Sequence, residues 1–173
     1  MNSILIRQAT LQDANLISEL SIATFKETYA EFNTEENMNA YLAKHFMPEH
    51  IAAELTDTAL NTFFITFVDE LPAGYVKLST ANIQSALEAG KPIEIERFYI
   101  LKPYQEQKIG STLMSYCLSN VIRKGFDTLW LGVWKQNDKA VAFYERWGFE
   151  KFGEHIFQLG NDNQSDWLMK RRC

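Results

Sequence analysis

The stretch Asn137-Asp138-Lys139-Ala140-Val141-Ala142-Phe143-Tyr144-Glu145-Arg146-Trp147-Gly148-Phe149 reads as one helix with both ends marked. Asn137 follows the apolar run Thr128 to Trp134 and is of the type that caps a helix N-terminus. Gly148 stands where a helix stops, and Phe149 starts the next strand. Ala140 and Tyr144 are four apart and share one face. A small residue beside a phenol leaves room for a ligand along that face, where the hydroxyl can meet a departing atom. Phe143 and Trp147 are core residues by type, and Tyr144 can pack with them, so this segment alone also admits a purely structural reading.

Working toward the N-terminus, Ile93 to Ile100 is a strand, and Lys102 to Lys108 a short polar loop. Gly110 and Ser111 then open an apolar helix that runs to Arg123 and stops at Gly125. The first turn of a helix carries unpaired N–H groups and a partial positive charge, which together hold an anion such as a pyrophosphate. Gly110 lets such an anion approach the backbone, and Ser111 adds a hydroxyl. One glycine also serves simply to ease a bend.

Taken together, the two segments resemble the GNAT superfamily of acyl-CoA-dependent N-acyltransferases. Gln105-x-x-Lys108-x-Gly110 is similar to the family's Gln/Arg-x-x-Gly-x-Gly/Ala motif, with Lys108 in place of the first glycine. Asn137 to Phe149 matches the Asn-x-x-Ala-x-x-Phe-Tyr-x-x-x-Gly-Phe motif in full. The resemblance implies a mixed, mostly antiparallel sheet of about seven strands with a splayed parallel pair. It also implies acetyl-CoA as acyl donor, held by Phe98, Tyr99, Ile100, Gln105, Glu106, Gln107, Lys108, Ile109, Gly110, Ser111, Asn137, Ala140 and Tyr144. Backbone N–H groups near Phe98 to Ile100 would polarise the acetyl carbonyl, and Tyr144 would be the general acid.

A narrower resemblance is to bacterial spermidine/spermine N-acetyltransferases of the PaiA type. It rests on Thr24 to Tyr29, Asn33 to Leu42, Glu94 to Arg97, Trp130 to Trp134, Gly153 to Phe157 and Gln164 to Met169. It implies a polyamine acceptor. An ammonium must lose a proton before it attacks, and Glu94 or Glu96 is placed to take it, directly or through water. Strand alternation puts both on one face and Arg97 on the other if no bulge intervenes. Glu96 paired with an arginine is the structural alternative. Glu27, Tyr29, Glu31, Glu96 and Trp134 are candidates for an acidic, aromatic acceptor groove, with Glu35 and Glu36 also nearby in sequence. A solvated acidic face accounts for the helical glutamates equally well. Two other readings compete: a GNAT acting on an amino acid, an antibiotic or a protein N-terminus, and a non-catalytic acyl-CoA sensor suggested by Lys108.

The rest of the chain completes a mixed α/β pattern. Ile4 to Arg7 is a strand. Thr10 caps a helix with Asp13 in a capping-box position. Two short helices follow, from Thr34 and from Pro48. Thr62 to Val68 and Ala73 to Ser79 form a hairpin across Asp69 to Pro72, and Phe149 to Leu159 and Ser165 to Lys170 are the last strands. Antiparallel hairpins thus flank a βαβ unit. At 173 residues the chain reads as one domain over 1–173. The opening segment from Met1 to Ile6 has no basic start before a long apolar run, which predicts a cytoplasmic protein with no membrane span. A net charge of −5 argues against nucleic acid and suits a cationic acceptor. Cys117 and Cys173 form no disulfide framework, and His45, His50 and His155 lack metal-ligand spacing, so no metal is expected. His155 reads as structural. The resemblance is compatible with a homodimer.

Overall fold

A computed structural model describes residues 3–173, apart from the side chain of Phe157. Met1 and Asn2, part of the opening-segment reading, lie outside the described residues. The strands are β1 (Ile4–Gln8), β2 (Asn61–Val68), β3 (Leu71–Ser79), β4 (Pro92–Ile100), β5 (Thr128–Trp134), β6 (Glu150–Leu159) and β7 (Asp162–Arg172). Helices α1 (Ala14–Tyr29), α2 (Glu35–His45) and α3 (Pro48–Thr56) lie between β1 and β2. Helix α4 (Ile109–Arg123) links β4 to β5, and α5 (Asp138–Arg146) links β5 to β6. The sheet order is β1-β2-β3-β4-β5-β7-β6. Only β4 and β5 pair in parallel, as a strand–helix–strand crossover requires; the other described pairs are antiparallel. This is the mixed, mostly antiparallel sheet that the sequence predicts.

Both faces of the sheet are covered, so the strands carry apolar side chains in both directions. On one face Ile93, Ile95, Leu129, Leu131 and Val133 pack against Leu113, Met114 and Cys117 of α4 and Val141 of α5. On the other, Phe63, Ile65, Tyr75 and Trp134 meet Ile17 and Phe25 of α1, Met38 of α2 and Ile51 of α3. The period-2 alternation of each strand divides these two cores.

Local signals act mostly as expected. The Asp13 carboxylate accepts the Thr10 N–H at 2.8 Å, the return half of a capping box, inside a 3-10 turn that leads into α1. Thr34 Oγ1 accepts the Asn37 N–H, and Pro48 is the first residue of α3. One turn differs. The β2–β3 connection is two residues long, Asp69 and Glu70, both with positive φ (47° and 68°). Such a turn matches the twist of the strands it joins, and Asp tolerates the left-handed region. Pro72 therefore lies inside β3, beside an irregularity in register, and not in the turn.

Two irregularities in β4 build the site. Lys77 pairs with Arg97 but Leu78 pairs with Ile95, so Glu96 is an extra residue in β4. The parallel pairing of β4 with β5 then stops at Ile95 opposite Leu131. Beyond that point the edge of β4 facing β5 has no strand partner, while its other edge stays paired to β3 as far as Ile100.

Candidate active site

The parting of β4 and β5 opens a cleft of about 660 Å³ that reaches both faces of the sheet. Its walls come from β4 (Glu94 to Ile100), the β4–α4 loop, the ends of β5 and α5, and from α1 and α2 on the far side.

One end holds the N-terminus of α4. Lys108 is the N-cap of α4 and gives it no side-chain cap. The Thr112 N–H closes back on the Lys108 carbonyl at 2.9 Å. The N–H groups of Ile109, Gly110 and Ser111 precede that first helical bond and have no partner within the helix. Lys108 sits at φ 65° and Glu106 at φ 63°, both left-handed. Lys108 thus adopts the conformation a glycine would supply there, at a cost of roughly 1 kcal/mol. A Cβ on Gly110 would meet Phe143 and Ile100 at ordinary distances of 3.8 and 3.9 Å. Packing therefore does not demand glycine at 110; its bareness leaves backbone accessible from the cleft.

Other residues expected at this end divide by role. Gln105, Glu106, Lys108, Gly110 and Ser111 line the cleft. The Gln105 amide donates to the Ile100 carbonyl at 2.9 Å and ties the loop to the end of β4. Gln107 donates to the Pro103 carbonyl and does not line the cleft, and the Ile109 side chain is core beside Val68 and Ala73. Asn137 lines the cleft, but its side-chain oxygen is taken by the Ala140 N–H at 3.1 Å, so it caps α5. Across the cleft mouth Lys139 pairs with Glu106 at 2.8 Å, both exposed.

Tyr144 lies midway. Its ring packs on Phe98, Phe143 and Phe149, and the residue is 8% exposed. Its hydroxyl has no hydrogen-bond partner among the described residues. Burial, and then Cys117 behind it, raises its pKa, so it stays a neutral donor. Ala140 lines the cleft on the same helix face.

The far side is acidic, and here the structure corrects the strand reading. The extra residue at Glu96 breaks the alternation, so Arg97 turns toward the same side as Glu96. Lys77 bonds to Glu54 at 2.8 Å and to Glu96 at 2.7 Å. Arg97 grips Glu54 with both terminal nitrogens and lies 3.5 Å from Glu96. Burial would raise the Glu54 pKa, but Arg97 and then Lys77 outweigh it and hold it low. Glu96 is thus paired inside a part-buried network of two cations and two anions. Glu94 is not. It accepts only a 3.3 Å hydrogen bond from Asn82, and burial, with Glu96 adding, pushes its pKa up to about 7.

Beyond these glutamates the floor of the cleft is Gly132. A Cβ there would stand 3.1 Å from His155 Cε1 and 3.5 Å from Asp166 Oδ2. Asp166 on β7 is directly opposite Trp134 on β5 and His155 on β6, so one row of side chains borders the hollow. Tyr29 stacks obliquely on Trp134 at 5.3 Å, and Glu27 accepts the Lys102 N–H at 3.0 Å. Tyr29, Glu27, Trp134 and Tyr99 line the cleft; Glu31, Glu35 and Glu36 are exposed and do not. His155 and Asp166 are cleft residues that sequence reasoning missed in role. Their only sequence signal was membership of the blocks Gly153 to Phe157 and Gln164 to Met169. Gly132→Val should fill the hollow and raise KM for an acceptor about tenfold or more while Kd for coenzyme A stays within about twofold, as steady-state kinetics and calorimetry would show.

No group of three metal-ligating side chains and no helix long and apolar enough to cross a membrane occurs among the described residues.

Similarity to known proteins agrees with this geometry. Residues 22–149 match the acetyltransferase (GNAT) family. An uncharacterised N-acetyltransferase from the pepI 3' region of Lactobacillus delbrueckii subsp. lactis is 32% identical over 171 residues, 99% of this chain and 98% of that protein. A spermidine N(1)-acetyltransferase of Thermoplasma acidophilum is 25% identical, over 98% of each chain. The crystal structure of a PaiA N-acetyltransferase from the same organism, in complex with coenzyme A, superposes with a TM-score of 0.80 over 99% of each chain at 23% identity. With a splayed β4–β5 pair, an uncapped α4 N-terminus and a family match over most of its length, this chain belongs to the GNAT acetyltransferase family.

Proposed function

We propose that the protein transfers an acetyl group from acetyl-CoA to a primary amine of a polyamine of the spermidine or spermine type. The observation that carries this reading is the polarity of the cleft: unpaired N–H groups at one end, unneutralised carboxylates and aromatic rings at the other, and Tyr144 between. The first end fits a pyrophosphate, the unpartnered edge of β4 fits an amide-bearing arm, and the second end fits a polycation. The spermidine-acetylating relative, at 25% identity, supports the same acceptor class.

The chain's residues then divide the work. Main-chain N–H groups of Phe98 to Ile100 would donate to the acetyl oxygen as negative charge builds on it. Glu94 takes the proton of the acceptor ammonium, directly or through water, so that the neutral nitrogen can form the C–N bond. Tyr144 donates to the sulfur as the C–S bond breaks. Glu96 is tied up by Lys77 and Arg97, and its part is to hold those neighbours in place. The ion pairs of Glu96 with Lys77 and Arg97 support Glu94 as the base of the two.

The test is thiol release from acetyl-CoA with spermidine, spermine and a panel of unrelated amines. Turnover concentrated on the polyamines is expected; turnover confined to amino acids or other monoamines would overturn the acceptor assignment. The base assignment has its own signature. A base must be deprotonated to act, so kcat/KM should fall as pH drops through about 7. Glu94→Gln should lower kcat about 10²-fold and abolish that acidic limb, whereas Glu96→Gln should leave the limb in place.

A further inference from the structure

The mechanism uses Glu94 and leaves a buried carboxylate of the cleft, Asp166, without a task. Asp166 is 8% exposed, and its Oδ1 is buried with no hydrogen-bond partner among the described residues. Its other oxygen faces the hollow over Gly132. No lysine or arginine pairs with it among the described residues. The lysine next in chain to Trp134, Lys135, is committed to Glu154 and to the ring of Trp167. His155 stands opposite, but burial lowers its pKa and keeps it neutral near pH 7. Asp166 itself is raised only to about 6, so it is mostly charged there.

A buried carboxylate with no partner is costly, and folds rarely keep one without a cation to meet it. The surroundings define that cation. Trp134 lies opposite Asp166 in the ladder, with Tyr29 and Phe32 against its ring at 5.3 and 5.1 Å. Aromatic faces beside a carboxylate suit an alkylammonium. The missing side chain of Gly132 provides width for a methylene chain. The position also fits: Glu94 pairs along β5 with Trp130 and Asp166 with Trp134, on strands either side of β5. That places their Cα atoms about 16 Å apart from strand spacing and rise. Two side chains reaching inward over such a span suit two nitrogens separated by several methylenes.

We infer that Asp166 is the binding residue for a second, non-reacting ammonium of the acceptor, so that this cleft selects diamines over monoamines. This rests on the acetyltransfer reading above and adds to it the residue that recognises the acceptor's remote charge. The Tyr29 hydroxyl, whose pKa burial and then the Asp166 charge raise, stays a neutral neighbour of that ammonium.

The test is calorimetric binding to the full chain saturated with coenzyme A, with 1,4-diaminobutane and butylamine as probes. The wild type should bind the diamine at least tenfold more tightly. In Asp166→Asn that ratio should fall to about one, and in Asp166→Glu it should recover in part. Thermal melting checks that each variant is folded; Asp166→Ser serves if the asparagine variant is not. Equal affinity for the two probes in the wild type, or a diamine preference that survives in the folded variants, overturns the inference. The polyamine reading fails separately, if spermidine and spermine release no thiol from acetyl-CoA.

Discussion

Tyr144→Phe should lower kcat for acetyl transfer by about 10²-fold or more, with KM for both substrates within about twofold. The ring is core: it touches Phe98, Phe143 and Phe149, and phenylalanine repeats those contacts. The hydroxyl has no hydrogen-bond partner among the described residues, so removing it leaves no orphaned donor or acceptor there. Stability should therefore stay within about 0.5 kcal/mol, and the loss is confined to the chemical step. Burial raises the proton affinity of the phenol, and the same apolar surroundings raise that of a departing sulfur. The phenol thus offers a hydrogen bond that strengthens as charge moves onto sulfur, the condition for transition-state stabilisation. Stopped-flow release of thiol, followed beside thermal melting, separates the two quantities. A variant that retained wild-type kcat would remove Tyr144 from the mechanism.

Lys77→Met should be the most destabilising of the changes considered, by about 3–5 kcal/mol. The Lys77 side chain is 4% exposed and bonds to Glu54 and Glu96 at once. Without it, two carboxylates share Arg97 alone, inside a part-buried site. A fall in Tm of about 10 °C follows for a domain of this size. Glu54→Gln in the same chain should restore part of the loss, because the two positions act through one network. The same substitution loosens the bulge at Glu96, so any remaining folded enzyme should bind acceptor less well. Urea unfolding of the single and double variants measures the coupling directly. Additive losses would show that the network is not a unit.

Most of the fold was legible in the residues. The caps at Thr34 and Asn137, Pro48 at a helix start and the glycines after α4 and α5 are local signals, and local signals act over a few bonds whatever the rest of the chain does. The motif from Asn137 to Phe149 placed Tyr144 on one face with Ala140 for the same reason. The β2–β3 turn was misplaced because Pro72 is a strong turn residue by type, whereas two left-handed residues at Asp69 and Glu70 are a backbone choice fixed by strand twist. The residues read as an acidic groove separate in the structure. Glu27 and Tyr29 reach the cleft, but helix α1 ends at Tyr29 and the turn that follows carries Glu31 away from it.

The sequence by itself determined the order of elements, the turn at Gly110 and Ser111 that opens α4, and the phenol at 144. Each is a property of neighbours along the chain. Only the tertiary structure sets the surroundings of the two strand carboxylates apart. Glu94 and Glu96 are equivalent as letters two apart on a strand. One bulge and two cations from β3 and β4, Lys77 and Arg97, neutralise the second and leave the first with its proton held near neutrality. Asp166 is brought beside Gly132 by strand pairing across about thirty-four residues of sequence, and no local pattern records that meeting. Charge depends on surroundings in three dimensions, and those surroundings come from distant parts of the chain.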